Sequence, residues 1–361
     1  MMTRVFSLVL FALSASNPGT NSWTIGPFTR PASGNPVITP NPASTFNDPL
    51  SHTPVHWEAL HTFNPAAMVR GGKVYVLYRA EDNSGEMKIG MHTSRLGLAE
   101  SSDGIHFTRR AEPVFYPATD AQQSREWPGG VEDPRLVEST DGTYILTYTQ
   151  WNQKTYTIGV ASSPDLLHWT KYGPAFGDRD LGNYKSSGIV TELVNGRLIA
   201  AKINDRYWMY WGEGAIRLAT STDLIHWTPV DDAHGTPVEV LRPRPGHFDS
   251  SFPETGPPPV LTSRGIVVIY NGKNAVQGGD PSLGANAYAA GEALFDAHNP
   301  AHRIAQTSTP VLKPELPYEK TGQYAAGTTF AEGLVIFHGH WLLYYGCADS
   351  LVAVAIAPFA Q

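Results

Sequence analysis

Residues 73–78 read KVYVLY, a short apolar strand that ends in tyrosine, and four later stretches repeat this pattern. The other copies are TYILTY at 143–148, YWMYW at 207–211, GIVVIY at 265–270 and WLLYY at 341–345. Repetition at a period of tens of residues is typical of propellers and solenoids. Each copy follows a segment that opens with polar residues, and the innermost strands of a propeller line a central channel. The repeat therefore predicts that these polar openings converge at one mouth of the channel.

A second repeated marker sets the length of the repeating unit. It reads SDGIHF at 102–107, SPDLLHW at 163–169 and TDLIHW at 222–227, with its aspartates 62 and 58 residues apart. This spacing suits a four-stranded blade, and the remaining length then gives about five blades. We predict an all-β fold, a single five-bladed β-propeller over residues 17–361, with residues 17–60 as an extended N-terminal arm. The aspartates are expected to bond local backbone, and the Phe or Trp to pack between blades.

Composition excludes several classes of function. The net charge is -7, so the chain lacks the excess of basic residues that is typical of nucleic-acid-binding proteins. The histidines do not show metal-binding spacing, and no glycine-rich phosphate loop follows a strand, so we predict neither a metal nor a cofactor. The single cysteine, Cys347, rules out an intramolecular disulfide.

The N-terminus resembles a secretory signal. Arg4 supplies a positive charge, residues 5–13 are apolar, and Ser14, Ala15 and Ser16 are small enough for cleavage. The apolar run is too short to span a bilayer. We predict a signal peptide at residues 1–16, a secreted or periplasmic location, and no membrane insertion after cleavage. The alternative is that this stretch begins the first strand.

The first candidate for chemistry is the run GVEDPR at 130–135. Side chains alternate along a strand, so only one of Glu132 and Asp133 is expected to face the channel. Arg135 shares parity with Asp133 and could lower the pKa of that carboxyl group. The alternative is a salt bridge that closes a turn.

Two further carboxyl groups accompany Asp133. Glu213 ends the aromatic strand at 207–211, and Glu254 occupies the same place in its repeat as Asp133 and Asn64. Glycoside hydrolysis needs two carboxyl groups, one to protonate the leaving oxygen and one to activate water. We predict that Asp133, Glu213 and Glu254 are catalytic, whereas the alternative for Glu213 is a solvated residue at a strand end.

A polyhydroxylated substrate also needs fixed hydrogen-bond donors and acceptors. Four candidates lie at a strand opening or just past a strand end: Asn64, Arg79, Lys202 and Asp349. We expect three more residues to bind substrate: Arg95, Arg135 and Asp249.

Together these residues resemble a known family. The matching stretches are TFNPA at 62–66, YRA at 78–80, SRLGLA at 94–99, GVEDPR at 130–135, GPPP at 256–259 and YGCAD at 345–349. In this order they resemble glycoside hydrolase family 130 from about residue 20 to the end. The resemblance implies a five-bladed propeller that acts on β-mannosides without a metal, either as an inverting phosphorylase or as an inverting hydrolase.

The resemblance also implies roles for the candidate residues. Asp133 would be the general acid, acting directly or through a substrate hydroxyl, while Asn64, Arg79 and Asp349 would hold the mannosyl ring. Phosphorylase members are similar to one another in carrying cations where this chain has Glu213 and Glu254, and hydrolase members carry Glu at both places.

Two carboxylates repel a phosphate dianion, and either could deprotonate water. We therefore predict a secreted, inverting, exo-acting β-mannosidase for β-mannosides, above all β-1,2-linked manno-oligosaccharides. The alternatives are a β-mannoside phosphorylase that releases mannose 1-phosphate, a non-catalytic sugar-binding propeller, and a five-bladed glycosidase of another specificity.

Overall fold

A computed structural model describes residues 23–359. Within this range the chain is built almost entirely of strands, with one short α-helix at Gln123–Glu126 and one 3-10 turn at Pro317–Glu319. The all-β prediction is confirmed. The predicted signal peptide, residues 1–16, lies outside the described residues. No helix within residues 23–359 is long and apolar enough to cross a membrane.

Antiparallel pairing between neighbouring strands divides the chain after the N-terminal arm into five consecutive groups, and bridges between groups join strands of the first four into one 15-stranded sheet. The arm itself contains a short hairpin of β1 (Phe46–Asn47) and β2 (Pro54–Val55). The first group is β3 (His61–Arg70), β4 (Lys73–Glu81), β5 (Ser94–Ser101) and β6 (Thr108–Arg109). The second group is β7 (Gly130–Glu138), β8 (Tyr144–Trp151), β9 (Tyr156–Ser163) and β10 (Thr170–Pro174).

The remaining three groups follow the same plan. The third is β11 (Ser187–Ile189), β12 (Thr191–Val194), β13 (Arg197–Ala200), β14 (Lys202–Ile203), β15 (Arg206–Trp211), β16 (Ile216–Ser221), β17 (Thr228–Pro229) and β18 (Glu239–Leu241). The fourth is β19 (Phe252–Thr255), β20 (Val260–Thr262), β21 (Gly265–Lys273), β22 (Tyr288–Phe295) and β23 (Arg303–Gln306). The fifth is β24 (Thr329–Phe337), β25 (His340–Cys347) and β26 (Leu351–Pro358). The hairpin of β12 and β13 also pairs in parallel with β20 and β7.

Five hydrophobic clusters join these groups. In β4, Val76 and Tyr78 pack into a cluster shared with β25 and β26, whereas Leu77 packs into one shared with β8. Alternation across the strand allows β4 to serve both clusters. Three further clusters join the second group to the third, the third to the fourth and the fourth to the fifth. Each group thus packs against two others, and the first packs against the last.

The repeated apolar strands found in the sequence are β4, β8, β15, β21 and β25, the strands that pair with the polar openings. Pro65 lies opposite Tyr78, and Thr255 lies opposite Tyr270. Strand β3 contacts both β7 and β24. This arrangement brings the polar openings of successive groups close together.

The N-terminal arm pairs with the end of the chain. Thr29 and Ile356 exchange backbone hydrogen bonds of 2.8 and 2.7 Å, and the Ile38 carbonyl accepts from Val352 N–H at 3.0 Å. Farther toward the N-terminus, the Glu292 carboxylate accepts from the backbone N–H groups of residues 25 and 26, both at 2.9 Å. The arm therefore adds a strand-like edge to the fifth group and is also held by the fourth.

The aspartates of the second marker are turn residues, as predicted. Asp165 Oδ1 accepts from the backbone N–H groups of Leu167 and His168 at 2.9 and 2.8 Å, and Asp103 and Asp223 make the matching bonds. The aromatic that follows packs between groups, since the Phe107 ring lies 5.9 Å from that of Tyr344 in β25.

Candidate active site

A cavity of about 330 Å³ lies at the polar openings of the strands. Its lining includes six of the predicted site residues, drawn from all five strand groups: Asn64, Arg79, Asp133, Glu213, Glu254 and Asp349. A larger cavity of about 780 Å³ lies along β5 and β6, and none of the predicted site residues lines it. Because the carboxyl groups converge in the smaller cavity, we place the candidate site there.

Backbone bulges place Asn64 and Asp133. Both residues have a φ of 47°, and each interrupts the pairing register of its strand, β3 or β7. Such conformations are uncommon for residues other than glycine and cost about 1–3 kcal/mol each. Bulges re-aim side chains next to active sites. As a result Asn64 Nδ2 donates a hydrogen bond of 2.8 Å to Asp133 Oδ1.

Arg79 lies at the centre of a buried cluster of carboxylates. Its Nη2 lies 2.5 Å from Glu81 Oε1 and 2.8 Å from Glu132 Oε1, and its Nη1 lies 3.1 Å from Asp133 Oδ1. Its Nε donates to Ser94 Oγ at 3.1 Å. The expectation that only one of Glu132 and Asp133 faces the channel is wrong, because the bulge at Asp133 breaks the alternation and both line the cavity.

The carboxyl groups of this cluster have different pKa values. Burial raises the pKa of Glu132 to about 7, although the positive charge of Arg79 opposes this shift. Burial and the nearby negative charges also raise the pKa of Asp349 to about 7. Burial also opposes the ionisation of Asp133, but the positive charges of Arg79 and Lys185 hold its pKa down to about 2. The site therefore pairs an ionised Asp133 with two carboxyl groups that retain protons near neutral pH.

A second pair of carboxyl groups lies on the other side of the cavity. Glu213 and Glu254 form an isolated antiparallel bridge through their backbones. Lys185 Nζ lies 3.8 Å from Glu213 Oε2 and 3.4 Å from Glu254 Oε1. Ser186 Oγ donates to the same Glu254 oxygen at 2.5 Å. The Glu213 side chain is 27% exposed and that of Glu254 only 1%, so Glu213 is the more accessible of the two.

The buried position of Glu254 controls its protonation. Burial raises the pKa of Glu254 to about 7, the Lys185 charge lowers it, and the Glu213 charge raises it. Burial favours the neutral form of Lys185, but the two glutamates raise the pKa of Lys185 well above its usual range. Within the described residues Glu254 Oε2 has no hydrogen-bond partner. This oxygen is buried and its hydrogen-bonding capacity is unused in the free protein.

Aromatic side chains form much of the cavity wall. The Tyr288 ring lies 5.5 Å from that of Tyr324 and 5.6 Å from that of Phe330, both nearly edge to face. On the opposite side Trp151 Nε1 donates to the Gly90 carbonyl at 2.8 Å, which fixes the loop that follows β4. Aromatic faces beside fixed polar groups are a typical sugar-binding surface.

Four predicted substrate-binding residues lie outside this cavity. Arg95 is buried and forms ion pairs with Asp48 and Asp82 at 2.5 and 2.7 Å. Asp249 is also buried, and its Oδ2 accepts from Arg244 Nε at 2.9 Å. Both residues therefore form buried ion pairs that stabilise the packing. The prediction that they contact substrate is not supported by their positions.

The other two are Arg135 and Lys202. Arg135 lies beneath the site, where Nη1 is 2.6 Å from Glu332 Oε1 and Nη2 donates to the Thr255 carbonyl at 2.9 Å. It therefore supports the strand that carries Glu254. Lys202 is exposed, and its Nζ lies 5.0 Å from the Tyr207 ring. Residues 23–359 contain no group of three His, Cys, Asp or Glu side chains placed to hold a metal ion.

Sequence reasoning missed Lys185, Ser186 and most of the aromatic wall. Lys185 lies at the end of a long loop that carries no recognisable pattern, but it comes two residues before Ser187-Gly188, one of the recognised polar openings. Extending each opening by two residues would have included it. Tyr288 and Tyr324 leave no comparable signal, because the second lies outside any strand.

Comparison with known proteins identifies the family of this chain. The sequence profile of glycoside hydrolase family 130, described as beta-1,4-mannooligosaccharide phosphorylase, matches residues 32–361. The chain is 32% identical over 303 residues to the 1,2-beta-oligomannan phosphorylase of Thermoanaerobacter sp. (strain X514), covering 83% of this chain and 90% of the relative.

Solved structures extend the comparison to the fold. A putative glycosidase from Bacteroides thetaiotaomicron VPI-5482 is 51% identical, with a TM-score of 0.90 over 92% of this chain and 97% of that one. A second solved structure comes from a study of glycoside hydrolases in the GH130 family that target β-1,2 mannosidic linkages in Candida mannan. It is 49% identical to this chain, with a TM-score of 0.91 over 94% of this chain and 95% of that one. With the family profile spanning all but the first 31 residues, the protein belongs to glycoside hydrolase family 130.

Proposed function

We propose that the protein is an inverting, exo-acting β-mannosidase that hydrolyses β-1,2-linked manno-oligosaccharides. The observation that carries this proposal is the pairing of Glu213 and Glu254 around one cation, Lys185. This side of the cavity has no excess of positive charge. A phosphate dianion would be repelled there, whereas a water molecule would meet a carboxylate able to take its proton.

We assign the role of general base to Glu254, with Glu213 as its partner. An efficient base has a pKa near the working pH, and the pKa of Glu254 is about 7. Ser186 and Lys185 both contact Glu254 Oε1, whereas the buried Oε2 has no partner and can hold the proton that the base takes up. In the reaction the water loses one proton to Glu254 as its oxygen bonds to the anomeric carbon.

We assign the role of general acid to Asp133. Because Asp133 is ionised in the free protein, the proton must reach it from a neighbour, and Glu132 and Asp349 retain protons to about pH 7. A sugar hydroxyl between Asp133 and the leaving oxygen would complete such a relay. The glycosidic oxygen gains this proton as its bond to the anomeric carbon breaks.

The same cavity offers groups that could hold the sugar. Asn64 and Arg79 both contact Asp133 and present donors, and Asp349 is a half-buried acceptor. The rings of Tyr288 and Tyr324 supply apolar faces. This combination supports recognition of one terminal mannosyl unit.

We also infer that the five strand groups are the blades of a five-bladed propeller, supported by the five clusters that join each group to two others. In such a fold the site would lie at one mouth of the central channel. Export of the chain remains a proposal that rests on the signal-like sequence at residues 1–16.

A second candidate is a β-mannoside phosphorylase. The curated relatives carry phosphorylase names, and Lys185 is a cation on the acceptor side. Against it stand the two glutamates, which already neutralise Lys185. The structural relatives at about half identity are described as glycosidases or glycoside hydrolases, which favours hydrolysis.

The deciding experiment is NMR product analysis on β-1,2-mannobiose with and without inorganic phosphate. Hydrolysis predicts free α-mannose as the first product in the absence of phosphate. Mannose 1-phosphate formed only with phosphate would establish the phosphorylase. Binding of the disaccharide by calorimetry with no product in either condition would identify a non-catalytic sugar-binding protein.

A further inference from the structure

One guanidinium group beneath the active-site cavity contacts the strands of both proposed catalytic carboxyl groups. Arg135 Nη1 donates to the Asp133 carbonyl oxygen at 2.9 Å. Its Nη2 donates to the Thr255 carbonyl at 2.9 Å, and its Nε donates to the Gly256 carbonyl at 3.2 Å. Because Thr255 directly follows Glu254 in β19, this one side chain links the backbone of the proposed acid to the strand of the proposed base.

The Arg135 side chain is also held from the fifth strand group. Its Nη1 lies 2.6 Å from Glu332 Oε1 in β24, and its guanidinium carbon lies 5.8 Å from the centre of the Phe330 ring. The side chains of Arg135 and Glu332 are 2% and 0% exposed. A guanidinium presents its donors in a rigid planar fork, so contacts in several directions hold it in one orientation. Arg135 lies outside the lining of the active-site cavity and can affect the reaction only through the residues that it holds.

Neighbouring hydrogen bonds complete a buried polar layer around Arg135. Asn271 in β21 donates to the Ala331 carbonyl at 3.0 Å and accepts from the Ala331 N–H at 2.8 Å, which joins the fourth group to the fifth. Thr147, opposite Arg135 in the sheet, accepts from Ser187 Oγ at 2.8 Å, which joins the second group to the third. Arg135 itself joins the second group to the fourth, and within residues 23–359 these two groups share no hydrophobic cluster.

The separation of the acid and the base is critical for inversion. The two carboxyl groups of an inverting glycosidase lie about 6.5–9.5 Å apart, which leaves room for the attacking water. A misplacement of about 1 Å can cost about 10² in rate. The backbone at Asp133 has a φ of 47°, a conformation that persists only where surrounding contacts hold it. The bond from Arg135 to the Asp133 carbonyl is one of these contacts.

We propose that Arg135 is a positioning residue that sets the separation of Asp133 and Glu254 by bonding to the backbone of both strands, while Glu332 holds its guanidinium in place. This inference rests on the proposed function and deepens it, because it requires Asp133 and Glu254 to act together. An arginine that only stabilised the fold would leave kcat of the folded protein unchanged.

The test is a double-mutant cycle on the hydrolysis of β-1,2-mannobiose, measured at the plateau of the pH profile. Arg135→Lys keeps the charge but lacks the fork that reaches carbonyls on two strands. It should lower kcat by about 10² and leave KM within about threefold of wild type, since Arg135 does not line the cavity.

Arg244→Lys is the matched control. Arg244 also bonds to a backbone carbonyl, that of Thr307, and to a buried carboxylate, that of Asp249, but it lies outside the lining of the cavity. This variant should unfold at a lower denaturant concentration than wild type and keep kcat within about twofold. Loss of a largely buried guanidinium network is thereby separated from loss of catalysis.

The cycle distinguishes positioning from general support of the fold. In the Glu254→Gln and Asp133→Asn backgrounds the separation of the two groups no longer determines the rate, so adding Arg135→Lys should lower kcat by less than about threefold. A loss of about 10² in all three backgrounds would show that Arg135 supports the fold generally and would overturn the proposal. An unchanged kcat in Arg135→Lys alone would overturn it as well.

Glu332→Gln provides the same test if Arg135→Lys does not fold. It keeps the volume of the side chain and replaces the ion pair with a neutral contact, so Arg135 is held less firmly and kcat should fall about fivefold. The fall should disappear in the Glu254→Gln background, and an equal fall in both backgrounds would overturn the proposal while hydrolysis stands. Product formed by the wild type only with phosphate would contradict the hydrolase, and this inference with it.

Discussion

The Lys185 ammonium nitrogen lies 3.4 Å from Glu254 Oε1, on the side of the cavity that we propose for the attacking group. This contact has two effects. The cation lowers the pKa of Glu254 against the effect of burial, and the carboxylate neutralises a charge that would otherwise attract phosphate. In the proposed mechanism, the choice between water and phosphate depends on how completely the two glutamates compensate the charge of Lys185.

Replacing Lys185 tests this relationship. Lys185→Met removes the charge that favours ionised Glu254, so the pKa of Glu254 rises further above about 7. Since a base must be ionised to act, the acidic limb of the pH profile of kcat/KM should move up by about one unit, with about tenfold less activity at pH 6. Lys202→Met, outside the cavity, is the matched control and should leave the profile unchanged. An unmoved limb in Lys185→Met would separate Lys185 from the base.

The two glutamates should be needed for turnover but not for folding. Glu254→Gln and Glu213→Gln keep the size of each side chain and remove its basicity, so kcat should fall by about 10²–10⁴. Circular dichroism should show an unchanged fold. Glu100→Gln, at an exposed ion pair with Lys73, is the control. Activity within twofold of wild type in both single variants and in the double variant would remove these residues from the mechanism.

The acid role of Asp133 can be separated from a role in binding by varying the leaving group. Asp133→Asn should lower kcat/KM on β-1,2-mannobiose by about 10³. A dinitrophenyl β-mannoside needs no proton on its leaving oxygen, so its cleavage should fall by about tenfold or less. An equal loss on both substrates would indicate that Asp133 positions the sugar and does not supply the proton.

Asp249 should contribute to stability and not to substrate binding. Its carboxylate is buried and paired with Arg244, and removing one partner of such a pair typically costs about 3–5 kcal/mol. Asp249→Ala should therefore lower the free energy of unfolding by about that amount in denaturant titrations and leave KM for mannobiose unchanged. A raised KM with unchanged stability would restore the binding role first expected for this residue.

Glu292 should make stability depend on pH. Burial raises its pKa to about 7 from a usual value of 4.5, so the folded protein binds a proton that the unfolded chain releases. The stabilisation is complete below about pH 4.5 and is lost as the pH rises toward 7. Glu292→Gln cannot ionise, and its melting temperature should fall less than that of wild type between pH 5 and pH 8. Glu100→Gln is the control, and identical slopes in all three proteins would contradict this account.

Much of the fold was predictable because its signals are local and repeated. Strand β4 alternates between two buried clusters, so residues 74–78 of the strand are all apolar or aromatic. The turn at Asp165 recurs because the same backbone bonds are needed in each repeat. Asn64, Asp133 and Glu254 were predictable as a set because they occupy equivalent places in those repeats.

The remaining site residues depend on packing that no local pattern records. The bulge at Asp133 brings Glu132 to the cavity, against the strict alternation that was expected. Arg95 and Asp249 look like surface ligands in the sequence because both are charged, but Arg95 pairs with Asp48, 47 residues earlier, and Asp249 pairs with Arg244, five residues earlier, at a spacing that no strand or turn pattern marks. The position of Lys185 depends on a loop of irregular shape, which sequence patterns do not describe.

The pairing of the N-terminal arm with β26 affects how the protein is made. Thr29 and Ile356 are 327 residues apart in the chain. At a synthesis rate of about 5–20 residues per second, tens of seconds pass before the arm can meet its partner. During that time the apolar residues of the fifth group have not yet been made, and the surfaces of the first and fourth groups that they will cover are exposed. The first and fourth groups therefore complete their packing only after β26 has been synthesised.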